Sequence, residues 1–102
     1  MSHARLQELR RLGLDGRLGR TPPTDRVFRA AQSAIEHGAK PAEIHAASGE
    51  ITLVWDRLTV AIDALGVSAS IITEAGDAET LLDAQPGILG RRIAARVAEL
   101  LT

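Results

Sequence analysis

Hydrophobic positions recur at three- and four-residue intervals along most of the chain, and that spacing predicts helices. Leu6, Leu9 and Leu12 within HARLQELRRL mark a first helix that stops near Gly13, in a stretch punctuated again by Gly16 and Gly19. After the stiff turn Thr21-Pro22-Pro23, Thr24 can cap a second helix. Asp25 is favourable in its first turn, and Val27, Phe28, Ala31, Ala34 and Ile35 form one face before Gly38 ends it. Pro41 suits a first helical position and Glu43 complements the positive helix end, so PAEIHAAS predicts a short helix closed by Gly49. Ile51, Val54 or Trp55, Leu58, Ile62 and Leu65 then repeat through EITLVWDRLTVAIDAL, predicting a longer helix with Gly66 at its cap and Trp55 anchoring the core. The segment VSASIITEAGD stays open between a wing strand, a helix extension and a loop: Val67, Ala69 and Ile71 alternate, and Ile72 breaks the alternation. Asp77 to Ala84 reads as a short helix containing Leu81 and Leu82. Pro86 marks the boundary of a final helix lined by Ile88, Leu89, Ile93, Val97, Leu100 and Leu101.

Composition points the same way. Seventeen alanines and thirteen leucines dominate the apolar set, both strong helix formers, while the aromatic residues are Phe28 and Trp55 alone. The expectation is an all-α fold, a small orthogonal helical bundle of five or six helices. Residues 1–23 form its basic N-terminal helix and arm, and residues 24–102 a single helical domain. A chain of 102 residues supports one core but not a core with a deep substrate cavity. With no cysteine, packing alone must hold the fold, and thiolate metal sites are excluded. No apolar run approaches the roughly 20 residues that span a bilayer, and the N-terminus lacks a secretory stretch, so a cytoplasmic protein without membrane contact is expected.

The net charge of −1 hides a strong asymmetry. Seven arginines oppose three acids from Met1 to Arg29, a local balance of +4; nine acids oppose Lys40 and Arg57 from Ala30 to Leu89, a balance of −7; and the remainder returns to +2. Basic ends thus flank an acidic middle.

One stretch carries more than composition. KPAEIHAASGEITLVWDRLTVAIDALG, residues 40–66, resembles a helix-turn-helix of bacterial transcription regulators, with a short helix, a glycine-containing turn and a longer apolar helix. The resemblance implies that Pro41 to Ser48 is the supporting helix, Gly49 the turn, and Ile51 to Leu65 the recognition helix, with Val27 to Ile35 completing a tri-helical core. It implies a small non-catalytic DNA-associated regulator, with Thr52 and Arg57 contacting DNA. Because Glu50, Asp56 and Asp63 surround Arg57, the N-terminal arm is the better electrostatic candidate for phosphates. Arg10, Arg11, Arg17 and Arg20 lie there among glycines and can follow a backbone or enter a minor groove.

Catalytic constellations are weak. His3, His37 and His45 share no metal-ligand spacing, the glycines at 13, 16 and 19 follow no strand, and the acids at 74, 77, 79 and 83 form a diffuse patch. No enzyme, metal or cofactor is expected. The alternative to DNA is a protein–protein interaction module, an adaptor, antiactivator or phage-type structural subunit using the acidic middle or the C-terminal helix. Ile93, Val97, Leu100 and Leu101 would form its partner interface, and a homodimer through that helix suits either reading.

Overall fold

Thr24 caps the first described helix as its sequence demands: its Oγ1 accepts from the Val27 amide at 3.4 Å, and α1 runs Asp25–His37. The structure is a computed structural model and describes Gln7 and residues 24–38, 40–47, 49–63 and 68–102. Five strands follow α1: β1 (Glu43–Ala47), β2 (Glu50–Trp55), β3 (Leu58–Ile62), β4 (Ser68–Thr73) and β5 (Ala78–Leu82). A second helix, α2 (Pro86–Leu101), follows the last strand, with Pro86 at its start. The strands form one antiparallel meander in the order β1-β2-β3-β4-β5. The fold is therefore α/β, and the all-α bundle of five or six helices is corrected: the described residues contain two helices and a five-stranded sheet.

The correction falls on residues 41–84. PAEIHAAS holds β1, and the expected long helix from Ile51 to Leu65 is the β2–β3 hairpin, with Trp55 paired to Leu58 across a tight turn at Asp56 and Arg57. The two helices that the helix-turn-helix resemblance implies for this stretch are strands. Ile51, Trp55, Leu58 and Ile62 fit both periods, which is why spacing misleads here. Leu53 and Val60 decide between them. On a helix each would lie nearly opposite Ile51, whereas alternation puts them beside it, and both are fully buried. The β-branched run of Ile51, Thr52, Val54, Thr59, Val60 and Ile62 also favours strands over a helix.

Turn chemistry fixes the register. Ala47 pairs with Glu50, so Gly49 stands in a two-residue connection at φ +80°, a conformation that glycine adopts without a Cβ clash. Gly76 has φ +93° in the β4–β5 turn, where its amide donates to the Thr73 carbonyl at 2.9 Å. Of the three alternatives for 67–76, the strand is the one formed, as β4. The helix expected over Asp77–Ala84 is the edge strand β5; adjacent Leu81 and Leu82 point to opposite faces, and Leu82 is 65% exposed.

Both helices cover one face of the sheet. Ile51, Leu53, Val60, Ile62 and Ile71 from the strands meet Val27, Phe28, Leu89, Ile93 and Val97 from the helices in a single core. The helices cross closely because small residues line their contact. A Cβ on Gly90 would stand 2.6 Å from the Ala30 carbonyl oxygen, and one on Gly38 would stand 2.9 Å from the Ala94 Cβ. Ser33, buried in this crossing, donates from Oγ to the Gly87 carbonyl at 2.9 Å. No helix of the described residues is long and apolar enough to cross a membrane.

Candidate interaction surface

Alternation along each strand sends every second side chain away from the helices, and nothing in the described residues covers that side. On β2 these outward positions are Glu50, Thr52 and Val54; on β3 they are Thr59 and Ala61. On β4 they are Ser68, Ser70 and Ile72, and on β5 Ala78, Thr80 and Leu82. β3, β4 and β5 thus present hydroxyls and aliphatic groups without one charge, in a chain of which a quarter is charged. Charge is confined to the margins. Glu43 and His45 occupy outer β1, their side chains 3.8 Å apart, while Glu50 and Asp63 stand at one end of the face. Asp56, Arg57 and Glu74 stand at the turns of the other end, where Val54, Thr59 and Ile72 line a shallow depression of about 220 Å³.

The residues expected to contact DNA do not share a helix. Thr52 is half-buried on the outward side of β2, between His45 and Ala61 in the cross-strand register. Arg57 lies in the β2–β3 turn with its side chain 76% exposed, its Nε 3.9 Å from the Asp56 carboxylate. The Glu74 amide donates to the Arg57 carbonyl, tying that turn to the one between β4 and β5. Arg10, Arg11, Arg17 and Arg20 lie outside the described residues.

The other sequence-derived interface has a different placement. Ile93 and Val97 are buried in the core, Leu100 packs partly against it, and Leu101 is exposed by about a third. Of the acidic stretch from Glu74 to Asp83, Glu74 and Asp77 are exposed, while Glu79 and Asp83 are committed within the fold. Glu79 turns inward from edge strand β5 to accept from Arg96 Nε at 2.7 Å, and Arg96 Nη1 donates to Glu99 at 2.7 Å. These contacts, the Glu79 hydrogen bond foremost, raise the Arg96 pKa above its ordinary value. Asp83 accepts from the Gln85 amide at 2.9 Å and lies 4.0 Å from Arg92. Arg92 and Arg26 donate in turn to the carbonyls of Leu82 and Ala84, at and just beyond the C-terminal end of β5. An inward-facing charge and occupied carbonyls blunt that edge against further pairing.

One serine and histidine come together, without catalytic geometry. His37 Nδ1 is 2.9 Å from the Ser33 carbonyl, which can only accept, so Nδ1 carries the proton and cannot take one from Ser33 Oγ. Among the described residues no three His, Asp or Glu side chains converge on a possible metal position. What sequence reasoning missed is the open face itself. Its signal was present in the alternation of small or hydroxyl residues with large apolar ones, Thr52 and Val54 between Ile51, Leu53 and Trp55, then Thr59 and Ala61 between Leu58, Val60 and Ile62. Comparison with protein-family models, with curated proteins and with solved structures finds no match for this chain.

Proposed function

We propose that this chain is a small non-catalytic protein–protein interaction module whose recognition surface is the open face of the sheet. The observation that carries this reading is the absence of charge from the outward positions of β3, β4 and β5. A side chain on a solvated sheet face loses nothing by being charged, whereas charge depletion characterises the centres of protein interfaces. Thr59, Ala61 and Ser70 are small and half-buried already, so docking a partner there orders few long side chains.

A capture experiment tests it. The full chain is immobilised and exposed to lysate beside Ala61→Arg, which puts a charge in the open face, and Ala98→Arg, which puts one on the exposed side of α2. A protein retained by the wild type and by the helix variant but lost with Ala61→Arg is the expected result. Equal capture by all three contradicts the reading.

DNA association is the second reading, and the arginines of residues 1–23 favour it. With strands where a recognition helix was expected, this reading rests on Arg10, Arg11, Arg17 and Arg20 holding phosphates, with Thr52 and Arg57 no longer needed as a helical pair. Binding of duplex DNA by the full chain that falls steeply with salt supports it, and absence of binding at low salt removes it.

A further inference from the structure

We infer that the cavity between the C-terminal half of α2 and the β4–β5 hairpin binds a primary ammonium carried on a short aliphatic chain. The cavity lies on the helix side of the sheet, so the inference is independent of the open face. Ile71 and Glu79 are cross-strand neighbours there, and Arg96 and Leu100 reach them from successive turns of α2. Ile71, Ala78 and Leu100 form its apolar part, while Thr73, Asp77 and the Glu79–Arg96 pair form its polar part.

Charge selects the sign of the ligand. The one guanidinium in the lining is already taken: Arg96 Nε donates to Glu79 and Nη1 to Glu99, each at 2.7 Å. An incoming anion would have to compete with both carboxylates. The acids keep spare capacity instead. Glu79 engages Arg96 through a single oxygen, and an ionised carboxylate can accept about four hydrogen bonds. Asp77 is held by its backbone: its amide donates to Thr73 Oγ1 at 3.2 Å, and its carbonyl accepts from the Thr73 amide at 2.9 Å. Its carboxylate makes no hydrogen bond or ion pair among the described residues. Asp77 and Glu79 stand two residues apart and both line the cavity, with a backbone separation of roughly 6.5 Å that the three donors of one ammonium can bridge.

The walls select the rest of the molecule. A metal ion is disfavoured, because among the described residues no three His, Asp or Glu side chains converge. A quaternary ammonium calls for aromatic faces, and no aromatic ring lines this cavity. Aliphatic walls suit an aliphatic stem. The volume of about 270 Å³ is just below the ~300 to 1,000 Å³ of pockets for drug-sized molecules, so the stem is short, about five carbons. The Arg96 and Glu79 side chains are 38% and 43% exposed, so water screens the new ion pairs and binding is weak, roughly millimolar.

A free alkylamine and the side chain of lysine share this chemistry, and two probes separate them. n-Pentylamine and Nα-acetyl-lysine methylamide are each titrated into the labelled full chain and followed by backbone amide spectra. Saturable shifts centred on Thr73, Asp77, Glu79 and Leu100 are expected with an amine and not with n-pentanol or pentanoate at equal concentration. Saturation by n-pentylamine alone assigns a free amine, and tighter saturation by the lysine probe assigns a lysine side chain. Asp77→Asn is expected to weaken binding about three- to fivefold, the worth of one exposed ion pair. Asp77→Lys, which supplies a cation of its own, is expected to abolish it, with circular dichroism verifying that both variants remain folded. Absence of saturable shifts with either amine overturns the inference. Equal shifts from n-pentanol, or amine binding indifferent to both variants, overturn it as well.

Discussion

The two faces of the sheet are built from neighbouring residues of the same strands and differ in almost every physical respect. The inner face carries Ile51, Leu53, Trp55, Leu58, Val60 and Ile62, nearly all fully buried beneath α1 and α2. The outer face carries Thr52, Val54, Thr59 and Ala61, small and half-exposed, with the charges kept to its rim. Stability resides in the first and contributes little to the second, so the absence of charge outside is not explained by packing. The exposed sides of the helices show what an ordinary solvated surface looks like in this chain: Arg26, Arg29 and Glu36 on α1, and Arg91, Arg92 and Glu99 on α2.

Substitutions one residue apart sharpen this contrast. Leu53→Ala on the inner face is expected to cost about 2 to 5 kcal/mol of unfolding free energy by denaturant titration, from lost burial and the cavity left behind. A cost near zero would mean that β2 does not face the helices as described. Gly90→Ala tests the helix layer that makes the inner face dry. With the Ala30 carbonyl oxygen 2.6 Å from the new methyl position, α1 and α2 must separate, at about 1 to 3 kcal/mol, and the melting temperature reports it. Thr24→Ala, which removes the α1 cap, is expected to cost about 1 kcal/mol in the same assay. Smallest of all, Ala61→Arg on the outer face is expected to change stability by less than about 0.5 kcal/mol while changing association. A large loss of stability would make that face structural.

How far the sequence disclosed this molecule follows from the range of each signal. Both helices were legible because their cues are local: a capping Thr24 with Asp25 behind it, and Pro86 ahead of Leu89, Ile93 and Val97. The strands were not, apart from β4, which stands among the alternatives for residues 67–76. Ile51, Trp55, Leu58 and Ile62 satisfy a helical repeat and, read across the turn at Asp56 and Arg57, two inward-facing strands equally well. The burial of Leu53 and Val60 beside them decides between the two, and that depends on helices distant in sequence. Alanine-rich composition then tilted the reading toward helix. Of the expected site residues, Thr52 does lie on the candidate surface, though on a strand. Ile93 and Val97 were legible as an apolar stripe, but their spacing could not tell a core stripe from a docking stripe, and here it is core. The open face escaped notice because it exists only once alternation, rather than a three-to-four repeat, is taken as the rule for residues 50–82.

The proposed recognition surface is the outer face of β3 and β4, and contact with a partner there is readable residue by residue. Backbone amide spectra of the labelled full chain, recorded with and without unlabelled lysate, report it. The expected result is a set of lysate-dependent shifts on β3 and β4, centred on Thr59, Ala61 and Ser70, with Arg91 and Ala98 on α2 unmoved. Shifts confined to the helices, or spectra unchanged by lysate, would contradict it.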